Sequence, residues 1–148
     1  INMRRDTALL PDGREAFREV VEHPGGVAVA ALTENDEILM VRQFRYPYGE
    51  VILEIPAGKR NSREEVPEQC GRRELREETG AVAENFFSLG ELYPTPGYCG
   101  EIIWMYAAVG LTAGEWVYAV KVNGDIADGV HKAEIVIERI SPISFILN

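Results

Sequence analysis

The segment Pro67 to Gly80, PEQCGRRELREETG, is the strongest constraint on what this chain can fold into. Pro67 suits a first helical turn, where a missing N–H costs nothing, and Gly80 suits the position just past a helix end. Cys70 and Leu75 fall on one side, read as the core face. Around this helix the chain is a series of apolar runs separated by turn signals. Gly26 to Leu32 (GVAVAAL) reads as a buried strand, 34–37 as a turn and 38–44 (ILMVRQF) as a second strand, the two forming a hairpin. Val51 to Gly58 (VILEIPAG) reads as a short strand ending in a Pro-Ala-Gly turn. FFSLGELY, EIIWMYAAVGL and EWVYAVKV are further strands, whereas HKAEIVIERI suits a helix or a strand. Pro11-Asp12-Gly13 is a turn signal that predicts a hairpin or arm near the start. One helix among many strands predicts an α/β fold with layers around a mixed sheet.

The 148 residues, 46% of them hydrophobic, are enough for one domain with its own core. No apolar run approaches the roughly 20 residues needed to cross a bilayer, so no membrane association is expected. The first residues are basic without a continuous apolar stretch, so no secretory signal is expected either. The two cysteines, Cys70 and Cys99, have neither a disulfide framework nor zinc spacing. A reduced, cytoplasmic setting follows as the expectation. A net charge of −9 argues against a nucleic-acid partner. An anionic small molecule would then need local arginines or a metal ion.

The helix carries Glu74, Glu77 and Glu78 close together. Like charges three and four residues apart repel by a few tenths of a kcal/mol per pair. Glu74 and Glu78 stand one turn apart on the same face, and Glu77 shares the edge. Such a set of hard oxygen donors suits Mg²⁺, with Mn²⁺ as the alternative, and Mg²⁺ sites are commonly completed by substrate phosphates. A solvated face neutralised by Arg72, Arg73 and Arg76 is the competing reading.

The stretch AGKRNSREEVPEQCGRRELREETGA resembles the Nudix hydrolase motif: a glycine, a later glutamate, then Arg-Glu-aliphatic-any-Glu-Glu-any-Gly-aliphatic. Gly58 matches the first glycine, and Arg73, Glu74, Leu75, Glu77, Glu78 and Gly80 match the rest in order. Taking Glu65 as the motif's first glutamate requires a one-residue insertion in the loop KRNSRE. The resemblance implies a Nudix-type α/β/α sandwich around a mixed β-sheet, with a short N-terminal β arm (1–22) before a catalytic domain (23–148). It implies hydrolysis of a nucleoside diphosphate derivative by attack of water on phosphorus. Glu74, Glu77 and Glu78 would be metal ligands, joined by the backbone carbonyl of Ala57, with Arg73 orienting the glutamates and Glu65 supporting the turn.

Flanking stretches resemble the ADP-ribose pyrophosphatases of that family. YPTPGYCGE (Tyr93 to Glu101) is similar to their Tyr-Pro-any-Pro-Gly-aromatic element, with Pro96 sixteen residues after Gly80. By this likeness Glu101 would turn towards substrate. VRQFRYP resembles their arginine-bearing strand end, which makes Arg45 a substrate contact, and Glu54 in LEIPAG matches as well. Phe17 to Ala30 resembles the passage from the N-terminal part, which in that subfamily exchanges between two subunits and helps bind the adenosine half. Arg18 and Phe17 are the candidates there, and a homodimer is implied. His23 reads as structural. The resemblance weakens after Leu111. Glu115 stands where a general base is often placed, or is a solvated loop residue. NGDIADGVHKAEI is loosely similar to the family's last helix. Together these imply Mg²⁺-dependent cleavage of ADP-ribose to AMP and ribose 5-phosphate. Other nucleoside diphosphate sugars, dinucleotides, or a Nudix module that binds without cutting remain alternatives.

Overall fold

The computed structural model describes residues 2–35 and 37–113 with their side chains, and the backbone of 118–123, 126–127, 130–131 and 134–139. The chain opens with β1 (Asn2–Leu9) and β2 (Glu15–Glu22), an antiparallel hairpin. The Pro-Asp-Gly signal closes it as expected. Leu10 N–H donates to the Arg14 carbonyl at 2.8 Å, the Asp12 carboxylate accepts from Arg14 N–H at 3.1 Å, and Gly13 takes the left-handed φ of +83°. Met3, Leu9 and Phe17 are exposed on it, so the hairpin is an arm and not part of the core.

There follow β3 (Gly26–Ala31), β4 (Val41–Arg45), β5 (Glu50–Glu54), β6 (Ala57–Lys59), the helix α1 (Pro67–Thr79), β7 (Ala81–Leu92) and β8 (Ile103–Ala113). Four of the strands form the central sheet in the order β6-β3-β8-β7, with β3 and β8 parallel and the other pairs antiparallel. The mixed sheet is therefore as the sequence predicts. Further along, β9 (Tyr118–Asn123), β10 (Ile126–Ala127), β11 (Val130–His131) and β12 (Glu134–Arg139) pair as β9 with β12 and β10 with β11.

Helix α1 begins at Pro67 and stops where Gly80, at φ +70°, donates its N–H back to the Arg76 carbonyl at 2.9 Å. Its buried residues are Cys70, Gly71 and Leu75, the face the sequence picks out plus the glycine between them. They lie on Val27, Val29 and Ala31 of β3, Ala81 and Ala83 of β7, and Tyr106 and Ala108 of β8, all buried. Alternate residues of each strand point to the helix, the period that a pleated strand imposes. A Cβ on Gly71 would come 3.2 Å from the Phe86 ring, so glycine lets the helix settle close to the sheet. Truncating the fully buried Leu75 to alanine would cost about 2–5 kcal/mol.

Three expectations are corrected. Segment 26–32 does not form a hairpin with 38–44. A single bridge, Leu32 to Ile38, starts one, and Leu39 N–H reaches the Ala31 carbonyl at 2.9 Å. The chain then leaves, because β3 lies between β6 and β8 with both edges taken, and β4 pairs with β5 instead. The Pro-Ala-Gly stretch is not a terminal turn. Pro56 is buried, its carbonyl accepts from Val29 N–H at 2.8 Å, and Ala57–Lys59 continue as the edge strand β6. Third, α1 is the one helix among the described residues. The region similar to the family's last helix contributes strands in its described part, and 134–139 is a strand. Nor, among the described residues, is any helix long and apolar enough to cross a membrane.

Candidate metal and phosphate site

Helix α1 lies over β6, and two consecutive residues of that strand receive two of the helix carboxylates. Glu78 Oε2 accepts a hydrogen bond from Ala57 N–H at 2.9 Å. One turn earlier the Glu74 carboxylate rests on Gly58, where a Cβ would lie 2.0 Å from Glu74 Cδ and 2.2 and 2.3 Å from its two oxygens. A side chain at 58 and the observed Glu74 exclude each other. The 3.6-residue period brings 74 and 78 to one face, and the bare backbone of β6 lets that face approach.

Arg73 ties the acidic edge together. Its Nη1 donates to Glu74 Oε1 at 2.6 Å and to Glu77 Oε2 at 3.1 Å, while Nε and Nη2 donate to Glu65 Oε1 at 3.3 and 3.2 Å. Burial opposes the Arg73 charge, but the hydrogen bond and charge of Glu74, with smaller help from Cys70 and the hydrogen bond to Glu65, outweigh it and raise its pKa. Glu65 is fixed from its other side, where Asn61 N–H donates to Oε2 at 2.5 Å. That bond, followed by Arg73, holds the Glu65 carboxyl below its ordinary value. Glu64 instead donates its own N–H to Ser62 Oγ at 3.2 Å. Glu65, not Glu64, is therefore the loop glutamate that reaches the helix, and neither Ser62 nor Glu65 caps α1, which begins without a side-chain cap.

Glu78 is half-buried, and burial pushes its carboxyl above the ordinary value. The Ala57 N–H and Arg45 pull it down, whereas the carboxylates of Glu74 and Glu54 push it further up. A bound cation's own charge would dominate the protonation balance at such a group. The donors are all hard oxygens, which fits Mg²⁺ or Mn²⁺ chemically. Among the described residues, no group of three His, Cys, Asp or Glu side chains stands arranged to hold a metal ion. Glu77 has a side chain 57% exposed and turns to Arg73. Glu74 and Glu78 are the pair seated on the strand.

The ribbon β4–β5 brings a second pair. Arg45 Nε and Nη2 donate to Glu54 Oε1 and Oε2 at 2.6 and 2.5 Å, a two-pronged bond along one face of the ribbon. The Glu54 carboxyl is held below its ordinary value by that bond. Arg45 is thus a partly exposed cation beside Glu78, already shared with a carboxylate.

The remaining candidates lie elsewhere. Glu101 Oε1 faces His23 Nδ1 at 3.4 Å, and the same nitrogen accepts from Gly25 N–H at 3.1 Å, which suits the structural role read for His23. The Tyr93 to Glu101 loop is fastened to the arm: Val21 N–H donates to the Tyr98 carbonyl at 2.7 Å and Gly100 N–H to the Val21 carbonyl at 2.9 Å. Arg18 is exposed on β2 and donates to the Phe17 carbonyl at 2.9 Å, and no described contact joins it to the helix carboxylates. Glu115 lies outside the described residues. A cavity of about 310 Å³ at the far end of α1, lined among others by Thr33, Thr79 and Thr112, contains none of the candidate residues.

One residue was missed from the sequence. Arg60, in the inserted loop, is only 7% exposed. A lone arginine in KRNSRE carries no signal of burial, because charged loop residues are ordinarily solvated.

A family model described as NUDIX domain matches residues 22–136. The chain is 45% identical over 115 residues to an ADP-ribose pyrophosphatase of Bacillus subtilis (strain 168), covering 78% of this chain and 62% of that protein. It is 43% identical over 115 residues to a methanol dehydrogenase activator of Bacillus methanolicus, covering the same 78% and 62%. The chain thus spans less than two thirds of the length of these curated relatives. A solved crystal structure of an ADP compounds hydrolase is similar with a TM-score of 0.64 at 18% identity, covering 93% of this chain and 70% of that one, and shares the fold.

Proposed function

Since the chain belongs to the Nudix family, we propose that it hydrolyses the pyrophosphate bond of ADP-ribose, giving AMP and ribose 5-phosphate, with Mg²⁺ (or Mn²⁺) held on the carboxylates of α1. The observation that carries the reading is the seating of Glu74 and Glu78 on Gly58 and Ala57 with Arg73 behind them. The name of the 45% identical relative and the YPTPGYCGE loop support ADP-ribose as substrate.

Glu74 and Glu78 would hold the metal, with Glu77 and the Ala57 carbonyl as further donors. The ion, when bound, supplies charge neutralisation at the phosphate oxygens and activates water. Arg73 keeps the glutamates in orientation. Arg45, released in part from Glu54, offers a fork for two phosphate oxygens. Glu101 and Arg18 stand as substrate contacts, the latter from the arm. A water oxygen bonds to phosphorus, the bridging P–O bond breaks towards the leaving phosphate, and Glu115 is the proposed acceptor of the water's proton. We place the arm at 1–22 and the catalytic domain at 23–148. The exposed Met3, Leu9 and Phe17 support exchange of the arm within a homodimer. Two unpaired cysteines favour the cytoplasm.

The test is incubation of the purified protein with Mg²⁺ and ADP-ribose, ADP-glucose, GDP-mannose, NADH and dinucleoside polyphosphates, with products separated by chromatography. AMP and ribose 5-phosphate from ADP-ribose, abolished by EDTA, are expected. Cleavage of another member alone would move the substrate. Silence together with tight ADP-ribose binding would make the chain a binding module.

A further inference from the structure

We infer that Arg60 is a positioning residue: from its buried place it holds the 60–66 loop so that Glu65 presents its carboxylate to Arg73, and thereby sets the orientation of Glu74. The inference rests on the proposed metal role of that carboxylate.

The guanidinium of Arg60 spends its donors on main-chain carbonyls. Nε donates to the Glu65 carbonyl at 2.8 Å, Nη1 to the Pro24 carbonyl at 3.1 Å, and Nη2 to the Arg63 carbonyl. Its backbone N–H donates to the Gly25 carbonyl at 3.0 Å. One face of the guanidinium lies 4.6 Å from the Trp104 ring centre, an attractive stacking geometry. One side chain therefore joins the entry to β3, strand β8 and both ends of the inserted loop. The loop presents a side chain to the acidic helix: Glu65, gripped by Asn61 N–H at 2.5 Å, passes its other oxygen to Arg73, beside the Lys59 carbonyl that accepts from Arg73 Nη2 at 3.5 Å. Arg73 in turn holds Glu74.

Trp104 extends the connection the other way. Its Nε1–H donates to Glu91 Oε1 at 3.1 Å, and Glu91 Oε2 accepts from the Tyr93 hydroxyl at 2.7 Å. Tyr93 opens the loop that the sequence likens to a substrate element. The side-chain hydrogen bonds of Arg60 itself go to Glu65, Pro24 and Arg63, on the side of the acidic helix and the entry to β3. Lysine cannot replace it, because an ammonium is a point donor and the three carbonyls are spread around a planar fork.

The experiment compares wild type with Arg60→Lys, Glu65→Ala and the double variant. The readouts are the half-saturating Mg²⁺ concentration for ADP-ribose turnover, KM at saturating Mg²⁺, and the amide proton resonance of Asn61. Supporting residues behind metal ligands typically change metal affinity or activity about 10–100-fold. Arg60→Lys is expected to raise the half-saturating Mg²⁺ by about 10-fold or more, with KM unchanged. Glu65→Ala should do the same, and the double variant should be no worse than the worse single, since both act through one contact. Glu65→Ala, at a partly exposed position, keeps the test decisive should Arg60→Lys fold poorly. The Asn61 amide proton, deshielded by its carboxylate partner, should shift upfield in both single variants. Additive Mg²⁺ effects, or an unchanged Mg²⁺ requirement with raised KM, would overturn the inference. A wild type with no metal-dependent turnover on any substrate sinks the hydrolase reading separately. The Asn61 resonance then decides alone, and an unmoved resonance in Arg60→Lys overturns the positioning role.

Discussion

Gly58 and Glu74 compete for one volume. The Glu74 carboxylate occupies the space that a Cβ on Gly58 would fill, 2.0 Å from Cδ. Gly58 is not among the glycines with positive φ, so its requirement is room and not backbone freedom. A strand residue without a side chain allows an acidic helix to lay a carboxylate on main chain. The next turn repeats the arrangement with Glu78 on the Ala57 N–H.

Gly58→Ala should therefore displace Glu74. Overpacking of this kind costs about 1–3 kcal/mol, which a thermal melt would register as a modest loss. Turnover should fall much further than stability, with the Mg²⁺ requirement raised. A variant with wild-type Mg²⁺ dependence would show that Glu74 does not need its seat on β6.

Glu78→Gln keeps the shape and an acceptor for Ala57 N–H but removes the charge. Turnover should fall by at least the ~100-fold that marks the upper range for supporting residues, with the fold intact by circular dichroism. Near-normal turnover would remove Glu78 from the metal site.

The same variant tests the electrostatics. Burial first, then Glu74 and Glu54, raise the Glu78 pKa in the folded protein above its unfolded value. Folding then favours the protonated form. The contribution is fully stabilising below the ordinary carboxyl range and is lost as pH rises through the raised value. In metal-free protein at neutral pH, Glu78→Gln should melt above wild type, and the difference should shrink on acidification. A wild type that melts at or above the variant at neutral pH contradicts this assignment.

Arg45→Ala leaves Glu54 unpaired beside Glu78. KM for ADP-ribose should rise more than turnover falls, and Arg45→Lys should not restore it, because the contact to Glu54 is two-pronged. An unchanged KM, measured by steady-state kinetics, would take Arg45 out of the substrate site.

The parts legible in the sequence are those fixed locally. Pro67 and Gly80 mark the helix ends by backbone chemistry, and Cys70 and Leu75 mark its face by period, so α1 is found where expected. The choice of Glu65 over Glu64 also follows, since its spacing to Arg73 brings the two together. What escaped depends on distant partners. Nothing within Gly26–Ala31 says that its neighbours will be Ala57–Lys59 and Ile103–Ala113, so sequence proximity favoured a hairpin that the sheet does not contain. Arg60 was illegible for the same reason, because its partners Pro24 and Trp104 lie 36 and 44 residues away.

If the α1 carboxylates hold the ion that drives hydrolysis, titrating Mg²⁺ into wild type and Glu78→Gln at fixed ADP-ribose will separate the two proteins. Wild type should release AMP and ribose 5-phosphate with saturable Mg²⁺ dependence, and the variant should stay near background at every concentration. Equal titration curves for the two proteins, or wild-type turnover that persists in EDTA, would contradict it.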